Sequence, residues 1–74
     1  MKFEEALKAM REGKKVKRPV NLLPRAMKDG EICEVWKRAN GKLVYEPLET
    51  MYCSNIIAGD WEIVEWVNGK YRLV

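Results

Sequence analysis

The chain has 74 residues, 47% apolar and 34% charged, with 14 Lys and Arg against 11 Asp and Glu for a net charge of +3. That composition excludes a disordered tail and a bilayer-spanning segment, and the length allows one domain, residues 1–74. There is no His and there are two Cys, which removes the usual general base, any Ser-His or Cys-His nucleophile pair and a four-ligand zinc site.

Residues 3–12 are expected to form a helix. Phe3, Ala6, Leu7 and Met10 recur at i, i+3, i+4 and i+7, which makes one apolar stripe. Glu4 and Glu5 sit where the helix dipole favours anions, and Gly13 suits the left-handed position after the last turn. Ten residues are too few for a stable isolated helix, so this one must dock on a sheet.

Strand signals follow. Lys15 to Arg18 reads as a short strand closed by Pro19, and residues 20–25 as a loop. Asp29-Gly30 and Asn40-Gly41 read as type I′ hairpin turns joining Ala26–Lys28, Glu31–Ala39 and Lys42–Glu46. Residues 48–59 are less regular, with room for a short helix capped by Ser54 or Asn55. Trp61–Trp66 and Tyr71–Val74 form the last hairpin, around Asn68-Gly69. The fold class expected is α+β: one N-terminal helix packed on an antiparallel sheet of about five strands. In strand 61–66 neither face is purely polar, which implies cover on both sides: the helix on one, a second subunit on the other, with Trp36 or Trp66 at that interface.

Charge is uneven. Residues 1–25 carry a balance of +5 and residues 26–74 one of −2. Among the basic residues Arg11, Lys14, Lys15, Lys17 and Arg18, the lysines read first as a solvated edge and second as a phosphate-binding strip. Arg18 presents a bidentate fork beside a proline-led loop and reads equally as structure or as an anion site. Trp36, Trp61, Trp66 and the tyrosines Tyr45 and Tyr52 fit a core or a base-stacking platform. Asp60 either ends a turn or accepts hydrogen bonds from ribose hydroxyls.

A core this small needs a supplement, and with two thiols and no secretory h-region the expectation is a homo-oligomer, a dimer or tetramer, in a reducing cytoplasm. No membrane, metal or cofactor is expected, and the chain reads as a binding protein rather than an enzyme.

Two segments carry a family resemblance. Met1 to Met10 followed by Gly13-Lys14-Lys15-Val16-Lys17-Arg18, and Asn55-Ile56-Ile57-Ala58-Gly59-Asp60-Trp61-Glu62-Ile63-Val64-Glu65, resemble the phage Thoeris anti-defence family, small phage and prophage proteins once classed as a domain of unknown function. The two segments cover somewhat under half of the chain. The resemblance implies an oligomeric sponge that captures a cyclic ADP-ribose-type immune signal between subunits without cleaving it. Some members are reported as inhibitors of a CRISPR nuclease, so a host defence protein is the alternative partner. Departures are visible: Asn21 stands where many members have Trp, and Asn55 where they have an acidic residue. On this reading Arg18 and Arg25 neutralise pyrophosphate, Trp36, Tyr52 or Trp61 stacks on adenine, and Asn21 or Asp60 reads ribose. Direct nucleic-acid binding through residues 11–18 is a weaker rival, because a net charge of +3 is modest for it.

Overall fold

The computed structural model describes residues 1–48, 50–67 and 69–74. The elements run α1 (Phe3–Arg11), β1 (Lys15–Lys17), β2 (Arg25–Lys28), β3 (Glu31–Lys37), β4 (Leu43–Pro47), α2 (Cys53–Ile57), β5 (Glu62–Val67) and β6 (Lys70–Leu73). The fold is α+β as expected, with six antiparallel strands rather than about five, in the order β4-β3-β2-β1-β5-β6. Each of the six segments read as a strand forms one, and the two shortest, β1 and β2, meet at a single pair, Val16 opposite Arg25. The expected cover of the sheet by an N-terminal helix also holds.

Helix α1 ends as its sequence directs. Gly13 has φ +88°, Gly13 N–H bonds to Met10 C=O and Lys14 N–H to Ala9 C=O, both at 3.0 Å. These two bonds form a Schellman motif, which satisfies carbonyls the helix would leave open. The next two residues then enter β1. The helix buries Ala6, Ala9 and Met10 against Val16 and Trp61, with Phe3, Leu7, Met27, Ile32 and Ile63 packed around them. Phe3 and Trp61 meet with ring centroids 5.7 Å apart.

Of the two turns expected to be type I′, one holds and one does not. Asp29-Gly30 is a type I′ turn, both residues at positive φ (53° and 79°), joining Lys28 to Glu31. Asn40-Gly41 is not. Gly41 alone is left-handed, its N–H bonds to Arg38 C=O at 2.9 Å, and Arg38 N–H bonds to Lys42 C=O at 2.8 Å. That is a three-residue loop, a type I turn followed by a glycine bulge. The Asn40 Oδ1 accepts the Lys42 N–H at 3.0 Å, which holds Asn40 out of the left-handed region. Asn68 lies outside the described residues; beside it, Val67 pairs with Lys70.

The second face of the sheet is covered by the sheet itself. Cross-strand register places Ala26, Cys33, Val35, Tyr45, Val64, Trp66 and Tyr71 on one side. There Cys33, Val35, Ala26 and Val64 are buried. The Tyr71 hydroxyl lies 3.4 Å from the Val35 carbonyl across the curled sheet, Trp66 packs edge-on against Tyr71 at 4.2 Å, and Lys37 Nζ sits 5.1 Å above the Trp66 ring. Within one copy, right-handed twist thus brings the two ends of the sheet together around a half-buried Trp66. Cys33 and Cys53 are free thiols, the first buried and the second exposed.

Met10 is 1% exposed at the centre of the helix-side core. Met10→Ala is expected to cost about 2–5 kcal/mol, read as a fall in the urea midpoint with an unchanged slope.

Candidate functional site

The site begins where β1 ends. Pro19 and Val20 occupy the middle of a β-turn closed by Asn21 N–H to Arg18 C=O at 3.0 Å, a natural place for Pro. Asn21 Oδ1 accepts the Arg18 backbone N–H at 3.1 Å. The turn aims the Arg18 side chain back across the sheet end. There its Nε donates to Asp60 Oδ1 at 2.6 Å, and one terminal nitrogen donates to Asn55 Oδ1 at 2.7 Å and to Ser54 C=O at 3.3 Å. The Arg18 side chain is 14% exposed.

Asn55 is the hub of this arrangement. It is buried inside α2, and its carbonyl accepts the Trp61 indole N–H at 2.8 Å. The expected caps of this helix are corrected accordingly. Helix α2 starts at Cys53 with Tyr52 before it and no side-chain cap, because Asn55 is drawn inward by Arg18 rather than left at the helix start. Trp61 is 0% exposed, so the expectation that its ring stacks on a ligand is corrected too: both faces lie in the core. Its backbone pairs with Met1, N–H to C=O at 3.1 Å.

The remaining expected residues are scattered. Arg25 is buried on β2, donating to Leu23 C=O at 2.6 Å and to Glu34 at 3.3 Å. Burial pulls its guanidinium below the usual value, with Glu34 partly offsetting this; as an arginine it stays charged. It faces Glu34 rather than Arg18, and it is buried away from the cleft described below. Trp36 is half-buried on β3 opposite Val44. Tyr52 is 71% exposed just before α2. Arg18, Asn21 and Asp60 are thus brought together, with Tyr52 next to the same short helix; Arg25 and Trp36 are not.

A cleft of about 270 Å³ opens beside Arg18, between the end of β1 and strands β5 and β6. Among the described residues Lys17, Arg18 and Arg72 bring three cations to its wall against the carboxylate of Glu62, and Val64, Tyr71 and Leu73 supply apolar surface. Burial, and then Tyr45, raise the Tyr71 phenol above its ordinary value, so it stays a neutral donor. Sequence reasoning missed Tyr71 and Arg72. They reach β1 only because β5 pairs with β1 and carries β6 beside it, and strand order leaves no local mark on a sequence.

No protein-family model matches the chain, and no curated protein or solved structure shows significant similarity to it. The resemblance noted above therefore rests on its two segments. In this structure the segments meet: Arg18 ends the first, while Asn55, Asp60 and Trp61 belong to the second.

The hydrogen bond from Arg18, aided by its charge, holds the Asp60 carboxyl below its ordinary value of 3.8. A carboxyl depressed by folding lends stability above its unfolded pKa and loses it as pH falls towards the native one. Thermal melts are expected to drop below about pH 4, and Asp60→Asn should flatten that acid limb. An unaltered limb in the variant would show that Arg18 holds α2 without Asp60.

Proposed function

We propose that the protein is a non-catalytic binder that sequesters a phosphorylated small molecule, a nucleotide signal of the cyclic ADP-ribose type, and that it serves a phage inside its host cell. The observation that carries this reading is the cationic cleft. Lys17, with Arg18 and Arg72 beside it already paired to Asp60 and Glu65, suits a phosphate, and Tyr71 and Leu73 suit the apolar parts of the ligand. Charge-assisted bonds from guanidinium groups to phosphate are the strong ones, and Arg18 is already held in place by Asn55 and Asp60, so little side-chain entropy remains to be lost on binding.

The size of the cleft supports assembly. Small-molecule sites commonly enclose about 300–1,000 Å³, and an open cleft of about 270 Å³ would leave part of a dinucleotide-sized ligand in solvent. A second copy completing the wall makes the binder a homo-oligomer. Leu22, 95% exposed, and Ile57, 83% exposed, lie on the loop and the short helix that Arg18 ties together, with Val20, Tyr52 and Ile56 also exposed there. Exposed apolar side chains on two adjoining elements fit a seam between copies better than a free surface.

A second reading uses the same apolar side chains as an epitope for a host defence protein, such as a CRISPR nuclease. It requires no ligand in the cleft.

Calorimetric titration with cyclic ADP-ribose isomers separates the two. Binding of one isomer, recovered intact afterwards, with a loss of about tenfold or more in Lys17→Glu at unchanged thermal stability, is the expected result. Failure of every isomer to bind overturns the first reading and leaves the epitope reading to a nuclease-inhibition assay.

A further inference from the structure

The sheet has two outer edges, and they differ. On β4, Arg38 N–H bonds to Lys42 C=O and Leu48 N–H to Ile32 C=O. Alternation in an antiparallel ladder then turns the backbone of Leu43, Tyr45 and Pro47 outward. Pro47 has no N–H to offer, so that edge is blunted. On β6, Val74 N–H bonds to Ile63 C=O at 3.1 Å, and Val64 stands opposite Leu73. The same alternation turns the N–H and C=O groups of Tyr71 and Leu73 outward. Among the described residues β6 pairs with β5 alone, Leu73 is 60% exposed, and no Pro interrupts the strand.

The side chains of β6 define what would fit. Lys70 and Arg72 share one face, and Tyr71 and Leu73 the other; the strand itself carries no carboxylate. Arg72 meets Glu65 at 3.4 Å with both side chains largely exposed, a weak pair that a better partner can displace. A second copy of β6 is a poor occupant in the registers that overlap most of the strand. Antiparallel self-pairing about Arg72 sets Arg72 opposite Arg72, and pairing about Tyr71 sets Lys70 opposite Arg72, like charges directly across a ladder.

We propose that the outer edge of β6 is a docking site for an extended segment of a partner protein in which acidic and apolar residues alternate. The segment adds as a seventh strand. Its backbone takes the four outward groups of Tyr71 and Leu73, its carboxylates stand beside Lys70 and Arg72, and its apolar side chains lie beside Tyr71 and Leu73. Lys70 and Arg72 then act as a filter, repelling basic strands while admitting acidic ones. The edge shares Tyr71, Arg72 and Leu73 with the cleft, but the proposal rests on the outward backbone groups of β6 and holds whether or not a small molecule binds.

The test is an amide-resolved NMR titration of the full chain with a blocked peptide of alternating Glu and Val, and with its Lys and Val counterpart. The expected result is a shift of the Tyr71 and Leu73 amides by the acidic peptide, which binds about tenfold or more tightly than the basic one, as two favourable cross-strand charge pairs allow. Leu73→Pro removes one outward N–H while sparing the bonds to β5, and should abolish the shifts with the Val74 amide unmoved. Should that variant unfold, Lys70→Glu with Arg72→Glu provides the second reading, with the preference reversed to the basic peptide. Equal binding of both peptides, shifts centred elsewhere, dimerisation through β6 without peptide, or no shift at millimolar peptide each overturn the proposal.

Discussion

The end of this sheet is organised by one requirement: the indole N–H of a fully buried Trp61 must have a partner. Asn55 supplies it from its backbone carbonyl, which fixes α2 over the end of the sheet. The Asn55 side chain then needs a donor, and Arg18 is the donor. Arg18 in turn needs its charge met, and Asp60, next to Trp61, meets it. Each buried polar group is satisfied by the next, and leaving any member out strands a group whose desolvation costs about 1–3 kcal/mol. Asn55, Asp60 and Trp61 hold their relative positions for this architectural reason before any ligand enters the argument.

The cleft inherits its shape from that chain of contacts. Arg18 forms the corner between them, one side of its guanidinium turned to α2 and the side chain forming part of the cleft wall. The residues best placed to touch a ligand are therefore partly those that hold the fold, and a substitution at Arg18 reads on both. Lys17 and Arg72 are freer of structural duty, since among the described residues Lys17 reaches only the Arg18 carbonyl at 3.4 Å and Arg72 an exposed glutamate.

Much of the fold was legible because it is written locally. The apolar stripe of α1, Gly13 behind it and the Asp29-Gly30 turn each follow from residues a few positions apart. What was misread depends on partners far along the chain. Asn55 looks like a helix cap until Arg18 claims it. Asn40-Gly41 looks like the same turn as Asp29-Gly30 until its side chain is seen bonding to Lys42. Nor does the sequence say that the sheet curls enough to bring Val35 and Tyr71 together beside Trp66. Of the residues expected to bind, Arg18, Asn21 and Asp60 converge. Trp61 is spent on the core and Arg25 on Glu34, while Tyr71 and Arg72 enter the cleft through a strand order that no short-range pattern encodes.

Strand β1 occupies the middle of the sheet with three residues. Its neighbour on one side, β2, follows it closely, but its neighbour on the other, β5, lies about fifty residues further on. The β2, β3 and β4 meander and the β5 and β6 hairpin can each assemble early from nearby sequence, whereas the strip that joins them must wait for the long closure that brings residues 15–17 to residues 62–64. Strand β1, and α1 packed on it, are thus the last to gain both partners. Until then their apolar stripe stays open to chaperones and to misassociation.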